Sequence, residues 1–332
     1  VQMGDDIICA LKYFDSNATR VAISADGLTV AAGCILGDVS GDATIAEARG
    51  NVRIFDWNGN EWVQLGSDIN GKEPGDFSGR SVAMSDDGRM VAIGSPLNGS
   101  YSGQVRIFEW NGNSWVKLGS DINGKSNDEG AGYSVAMSAD GLTVAIGSVK
   151  NAYPAPADDF GNLSAYAGTR TFPWSGIGIV RIWEWDGNEW VQLGSDINGA
   201  NEDAFGHSVA LSADGRMLVV GAPMSDGRLD SSVSRQDAGI SRIYAWTGYT
   251  WKLISELDAE KDGDHAGDSV AMSGDGLTVA VGAYFNGGLP IPEFNFAAGT
   301  ITTSGVGGMT ETAVGHVRIH SAQVLSVYIT PD

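Results

Sequence analysis

Five copies of one short pattern constrain the fold of this chain more than any other feature. The pattern is Ser-x-Asp-Gly followed by an apolar run that ends in Gly, and its turn aspartates lie 53 to 74 residues apart. The copies begin at Ser24, Ser85, Ser138, Ser212 and Ser273. Self-similarity at such a period predicts one supersecondary unit repeated along the chain, in which neighbouring units stack to bury a shared core.

Each repeat is predicted to form four strands, a to d. Strand a resembles SVAMS, an Asp-Gly turn leads into strand b (VAIG), strand c resembles VRIFEW, and strand d resembles WVQLG. Asp-Gly and Asn-Gly favour tight hairpin turns because glycine accepts a positive φ. Most of the length variation lies between strands b and c, as in radial repeats whose insertions gather on one face. The sequence therefore predicts an all-β fold, a β-propeller of five four-stranded blades.

The propeller is expected to occupy the whole chain as one domain. Its repeats cover approximately residues 1–75, 76–127, 128–201, 202–261 and 262–332. Residues 1–7 (VQMGDDI) match strand d of other repeats, so we expect this N-terminal strand to complete the last blade and close the ring. The tail, 322–332, would then link to a further domain. The alternative is that the tail is the last blade's own strand d, within a larger ring.

Charge and composition exclude two classes of partner. The formal net charge of −21 repels nucleic acid and favours cations or basic proteins. No apolar stretch reaches the roughly 20 residues that a membrane-spanning helix needs, so we expect no membrane insertion. Three glycosylation sequons, at Asn17, Asn98 and Asn162, favour an extracellular location, either secreted or at the cell surface.

The two cysteines are consistent with that location. Cys9 lies in a segment that precedes strand a, and Cys34 lies at the start of a b–c loop, which places both at the same face of the propeller. We expect a Cys9–Cys34 disulfide, with two buried thiols as the alternative.

The fourth repeat carries the clearest family resemblance. Asp203-Ala-Phe-Gly206, followed by Ser208-Val-Ala and Gly221-Ala-Pro223, resembles the FG-GAP repeats of integrin α-chain propellers. The chain is also similar to secreted repeat proteins of marine bacteria and algae. The resemblance implies a propeller with an extracellular role in adhesion or surface architecture. The family's calcium loops have several carboxylates, whereas each a–b turn here has a single Asp directly before Gly, which indicates a turn former.

Two groups of residues are candidate binding sites. Acidic residues recur in the d–a loops, and Asp262, Asp264 and Asp268 form the densest group, a candidate metal site with calcium as the expected ion. The alternative is a solvated acidic rim. Tryptophans five residues apart are expected to face each other across the c–d hairpins, as packing or as stacking platforms for sugar rings. They are Trp57, Trp62, Trp110, Trp115, Trp185, Trp190, Trp246 and Trp251.

Catalysis finds little support in the sequence. The four histidines show no metal-ligand spacing, so we expect no enzyme and no certain cofactor. The favoured function is an adhesion module or structural subunit of a cell-surface assembly. Its partners would be other proteins or copies of itself, bound through the long loops 148–179 and 283–316, the second of which predicts an extra hairpin around Gly307-Gly308. The alternatives are a glycan-binding module and, less favoured, a carbohydrate-active enzyme.

Overall fold

The structure, a computed structural model, confirms the predicted all-β propeller. It describes residues 2–7, 20–35, 49–149, 177–226, 237–260, 262–283, 293–295, 300–302 and 316–321. Within these ranges each repeat forms its own antiparallel sheet, and the strands follow one another across the sheet in chain order. No helix in this part of the chain is long and apolar enough to span a membrane.

The first two sheets show the arrangement of a blade, in which strand c pairs with both halves of a divided strand d. The first sheet contains β1 (Arg20–Ile23), β2 (Thr29–Cys34), β3 (Asn51–Trp57), β4 (Trp62–Gln64) and β5 (Ile69–Asn70). The second contains β6 (Ser81–Met84), β7 (Met90–Ser95), β8 (Gln104–Trp110), β9 (Trp115–Lys117) and β10 (Ile122–Asn123). A short helical turn, α1 (Asn98–Tyr101), lies in the loop between β7 and β8.

The remaining sheets repeat this order. The third contains β11 (Ala131–Met137), β12 (Thr143–Ser148), β13 (Ile177–Trp185), β14 (Trp190–Gln192) and β15 (Ile197–Asn201). The fourth contains β16 (Ser208–Leu211), β17 (Met217–Ala222), β18 (Ile240–Trp246) and β19 (Trp251–Asp258). The fifth contains β20 (Ala266–Met272), β21 (Thr278–Ala283) and β24 (His316–Ser321). We number these sheets blades 1 to 5.

Strand d is divided where the sequence reads Leu-Gly-Ser-Asp. In blade 2 the dividing glycine is Gly119, whose φ of +71° lies in the left-handed region that other residues rarely adopt. The fourth repeat reads Leu-Ile-Ser-Glu at the same place and contains no glycine there. Its strand d is accordingly continuous, as β19.

The core lies between the blades. Each of the four large clusters of buried apolar side chains joins strands b and c of one blade to strands a and b of the next, as Ala31, Val52 and Ile54 of blade 1 do with Met84 and Val91 of blade 2. Main-chain hydrogen bonds also link successive a–b turns. They run from Ala25 N to Asp86 O (2.9 Å), Asp86 N to Ala139 O (2.9 Å), Ala139 N to Ala213 O (2.9 Å) and Ala213 N to Gly274 O (2.8 Å).

The long loop of the fifth repeat contains an additional hairpin. It pairs β22 (Glu293–Asn295) with β23 (Thr300–Thr302). The hairpin predicted around Gly307-Gly308 lies outside the described residues and stays a prediction. Residues 303–315, most of the loop 148–179 and the tail 322–332 lie outside the described residues. Ring closure by the N-terminal strand stays a prediction.

Candidate functional site

The five Asp residues of the a–b turns act as turn formers, as predicted. In blade 3 the Ser138 hydroxyl donates to Asp140 Oδ1 over 2.6 Å, and the same oxygen accepts the main-chain N–H of Leu142 over 2.9 Å. The other four turns show the same two bonds. The serine hydroxyl, followed by the main-chain N–H, lowers the pKa of Asp26 and of Asp275 because both stabilise the carboxylate. These carboxylates therefore serve the turn.

The tryptophans of the c–d hairpins pack between blades. Each pair lies directly opposite across its hairpin, with ring centroids 5.3 to 5.5 Å apart and planes tilted by 48° to 59°. The second indole of each pair also donates its N–H to a main-chain oxygen of the preceding strand d. These bonds are Trp62 to Met3 (2.9 Å), Trp115 to Leu65 (2.8 Å), Trp190 to Leu118 (3.0 Å) and Trp251 to Leu193 (3.0 Å). One polar edge of each pair is therefore used within the fold, and both rings are half-buried or buried. A role as stacking platforms for sugar rings stays a prediction.

The acidic d–a loops contain buried carboxylates at a fixed position. One acid in each loop lies five residues before the first serine of strand a and is only 1 to 3% exposed: Asp76, Glu129, Asp203 and Asp264. The first three of these acids each accept a main-chain N–H from their own loop over 2.7 to 2.9 Å. The donors are Lys72, Lys125 and Ala200 respectively. The residue after each acid has a positive φ (Phe77, Gly130, Ala204 and His265). The loop acids are therefore partly structural.

The strand c arginines supply the opposite charge. Arg181 contacts Glu129 through a short ion pair, and both side chains are almost fully buried. Arg181 Nε also lies 3.0 Å from Asp196. Burial alone would lower the pKa of Arg181, but hydrogen bonds to Asp196 and Glu129 raise it. Blade 4 repeats the arrangement more loosely, with Arg242 lying 3.7 Å from Asp203.

The predicted calcium site does not assemble. Asp264 is buried at 1% exposure, whereas Asp262 is exposed and Asp268 is half-buried. Among the residues with described coordinates, no three His, Cys, Asp or Glu side chains come together as a metal-holding group. The physical reason is the backbone, which has a positive φ at Gly263, His265 and Gly267 and so turns between the three carboxylates and gives them different burial.

The predicted disulfide and sequons are described only in part. Cys34, at the end of β2, is disulfide-bonded, and Cys9, the chain's other cysteine, lies outside the described residues. Asn17 and Asn162 also lie outside them. Asn98 is half-buried in α1, and its amide nitrogen donates to Asp76 Oδ1 over 2.9 Å, so this sequon is engaged in its own blade.

Blades 2 to 5 each have a polar residue immediately before the first serine of strand a. These four residues form a connected group, which we call the axial tier: Arg80, Tyr133, His207 and Asp268. The Arg80 guanidinium lies 4.3 Å from the centre of the Tyr133 ring, a cation–π contact. The Tyr133 hydroxyl lies 3.2 Å from His207 Nε2, and His207 Nδ1 lies 3.1 Å from the main-chain oxygen of Asp268.

The protonation state of His207 follows from these contacts. Burial lowers its pKa, Arg80 and Arg20 lower it further, and the Asp268 carboxylate opposes them. A carbonyl oxygen only accepts, so Nδ1 carries the proton of a neutral ring. Nε2 is then the acceptor, and the Tyr133 hydroxyl donates to it. The axial tier thus combines a positive charge, a polarised hydroxyl and a neutral imidazole.

Blade 4 also contains an acid-lined depression of about 280 Å³ at the face where d–a and b–c loops meet. Its wall includes the exposed carboxylates of Glu202, Asp226 and Asp237, with Asp203 and Arg242 beneath them. Burial raises the pKa of Asp203, against the main-chain N–H groups of Ala200 and Phe205 and the charge of Arg242. The depression suits a cationic group.

Sequence reasoning missed the axial tier and the buried acid–arginine pairs. A signal for both was present, since each set recurs at a constant offset from the first serine of strand a. The acids vary between Asp and Glu, and the tier varies in every copy. A search for identical residues therefore passes over them, whereas aligning the repeats by strand a reveals both.

Comparison with known protein families gives one match. Residues 195–237, which include Asp203, His207 and much of the acid-lined depression, match the FG-GAP repeat family. No curated protein matches the sequence.

Two solved structures are similar to this chain over most of its length. A functionally unknown protein from Desulfotomaculum acetoxidans is 14% identical, with a TM-score of 0.48 over 88% of this chain and 70% of that one. A periplasmic gluconolactonase of Pseudomonas aeruginosa is 13% identical, with a TM-score of 0.49 over 89% of this chain and 73% of that one. With TM-scores below 0.5, neither similarity carries an argument about this chain.

Proposed function

We propose that this protein is an extracellular β-propeller that works through protein–protein contacts, as an adhesion module or as a structural subunit of a cell-surface assembly. The match to FG-GAP repeats supports an interaction module. The observation that carries the proposal is the acid-lined depression of blade 4, because it lies within that matched repeat and opens on the face that gathers the variable loops.

The charge of the molecule indicates the kind of partner. Three exposed carboxylates surround the depression, and the chain as a whole has a formal net charge of −21. A field of one sign steers an oppositely charged protein surface towards the site and suppresses acidic competitors. The partner is therefore a basic protein surface that offers Lys or Arg side chains.

The glycan-binding alternative was based on the tryptophan pairs, which pack within the fold. In all four tryptophan pairs one indole N–H donates to the preceding strand d, and the two rings pack against each other. Sugar recognition by an aromatic platform needs a ring face open to solvent. An interaction through the loop face has no such requirement.

Binding of an oligolysine peptide, measured by calorimetry at several salt concentrations, tests the proposal. We expect affinity that falls as salt rises, and a loss of about tenfold or more in the variant Glu202→Gln, Asp226→Asn, Asp237→Asn. The matched control removes three exposed carboxylates elsewhere, with Glu61→Gln, Glu109→Gln and Glu189→Gln. Equal weakening in both triple variants would show attraction by net charge alone and would contradict a specific site.

A further inference from the structure

Every blade has two different faces. We call the face that packs on the preceding blade its leading face, and the face that packs on the following blade its trailing face. In blade 2 the leading face includes Val82 and Met84 of strand a, which pack with Ala31 and Ile54 on the trailing face of blade 1. The same pairing recurs between blades 2 and 3, 3 and 4, and 4 and 5.

The leading face of blade 1 exposes two large apolar side chains. Val21 is 68% exposed and Ile23 is 60% exposed. At the matching positions Met84 is 9% exposed, Val209 and Leu211 are 8% exposed, and the remaining counterparts are half-buried. Val30 of strand b is half-buried, whereas its counterparts Val91, Val144, Leu218 and Val279 are fully buried. Two large apolar side chains that the other blades bury or half-bury therefore face solvent here.

The trailing face of blade 5 is less buried than its counterparts. Ala280 of strand b is half-buried, whereas Ala31, Ala92, Ala145 and Val219 at the same position are fully buried. Within the described residues blade 5 has three strands, so no strand d pairs with the outer edge of β24.

Residues 2–7 contact the tryptophan pair of blade 1 in the way that the strand d of a preceding blade contacts the pair of the next. The main-chain oxygen of Met3 accepts the Trp62 indole N–H, as Leu65 does for Trp115 of the next blade. A Cβ at Gly4 would lie 2.8 Å from the Trp57 ring, the same approach that Gly66 makes to Trp110. This segment thus holds the position that the strand d of a preceding blade would hold.

We propose that these two open faces bind each other between molecules: the leading face of blade 1, with residues 2–7, docks on the trailing face of blade 5 of a second copy of this chain. The inference rests on the proposed function, since it adds a contact between copies to the proposed structural subunit, separate from the basic partner at the depression of blade 4. A leading and a trailing face are complementary because the molecule already makes that contact four times. Closure of the ring within one chain would bury Val21 and Ile23. Both are exposed in the structure, so a second copy takes that position.

This head-to-tail contact has a consequence for the assembly. A heterologous interface leaves one open face at each end until the copies close on themselves, so it propagates into closed rings or filaments. The added strand would pair residues 2–7 with β24, which is recognition of a sheet edge by an extended segment. The average particle mass should therefore rise with protein concentration.

Light scattering of the full chain over a range of concentrations tests this. We expect particles larger than one chain, and a return to the chain mass in the variant Val21→Asp, Ile23→Asp. The control variant Val63→Asp, Val116→Asp changes two apolar residues that are 44% and 47% exposed on strand d, and it should assemble as the wild type does. A wild-type protein that stays at the chain mass at every concentration would overturn the proposal.

Cysteine cross-linking separates contact between molecules from closure within one. Ile23→Cys and Ala280→Cys proteins are prepared separately, mixed and oxidised, and a disulfide between the two can form only between chains. A double variant that instead closes its disulfide within one chain, with no cross-linked pairs in the mixture, would contradict the proposal. Oligolysine binding uses the depression of blade 4, so its persistence in a protein that fails to assemble would leave the proposed function standing.

Discussion

The indole nitrogen of Trp190 donates a hydrogen bond to the main-chain oxygen of Leu118 over 3.0 Å and so ties blade 3 to blade 2. Gly119 follows with a φ of +71°, and its α-carbon faces the Trp185 ring so closely that a Cβ would lie 2.6 Å from it. Leu-Gly or Met-Gly precedes each of the four tryptophan hairpins in this way. The fourth repeat has no glycine there, and the fifth repeat has no tryptophan pair.

Replacing Gly119 by Ala should destabilise the protein more than replacing Gly112 by Ala. Gly112 also has a positive φ, +93°, but a Cβ there meets nothing within 4 Å. The Gly112→Ala variant therefore measures only the strain of a left-handed backbone at a residue with a Cβ, about 1–2 kcal/mol. Gly119→Ala adds overpacking against Trp185, about 1–3 kcal/mol more. Urea unfolding of both variants measures the difference, and equal losses would show that the glycine–indole contact contributes nothing.

Replacing Glu129 should lower the free energy of unfolding far more than replacing an exposed partner of another arginine. Glu129→Ala leaves the buried guanidinium of Arg181 with only part of its counter-charge, and breaking a buried pair in this way costs about 3 kcal/mol or more. Glu184→Ala removes the partner of Arg216, a 2.7 Å pair whose side chains are 40% and 37% exposed, and should cost less than about 1 kcal/mol. Free energies of unfolding at neutral pH compare the two. Similar values for both would refute the structural role given to Glu129.

The stability of the protein should fall as the pH drops below the ordinary pKa of histidine, and His207 should contribute to that fall. Its pKa is lowered in the folded protein, so below about pH 6.5 the unfolded chain takes up a proton that the folded chain does not. This contribution is therefore fully present above that pH and is lost as the pH falls towards the folded pKa.

The variant His207→Gln isolates this contribution because glutamine does not titrate. Its free energy of unfolding should change less between pH 7.5 and pH 5.5 than that of the wild type, by denaturant titration at each pH. Carboxylates also titrate at the acid end, and both proteins share them. A pH dependence identical in the two proteins would mean that His207 is protonated equally in the folded and unfolded states.

Much of the fold could be predicted because its causes are local. Asp140 and Ser138 bond within one turn, so the Ser-x-Asp-Gly pattern alone indicates the a–b hairpin. Trp185 and Trp190 meet across a two-stranded hairpin, so their spacing alone indicates the pair. The hairpin at 293–302 could not be placed in this way, because strand pairing there depends on which segment lies beside residues 300–302.

The candidate sites depended on contacts between repeats. Asp262, Asp264 and Asp268 are close in sequence, but the loop buries Asp264 and separates it from its neighbours. Tyr133 and His207 are 74 residues apart and meet only because consecutive blades bring their strand a termini together. Nothing in the neighbourhood of either residue indicates the other.

By itself, the sequence determined the repeat, its hairpins and the propeller class, since turn chemistry and strand alternation act over a few residues. The tertiary structure alone decided what each repeat does for its neighbour: which indole binds which carbonyl, which acid is buried against an arginine, and which apolar faces stay uncovered. The reason is that those contacts depend on the stacking of blades. Stacking follows from burial of surface between repeats and leaves no mark on the spacing within one.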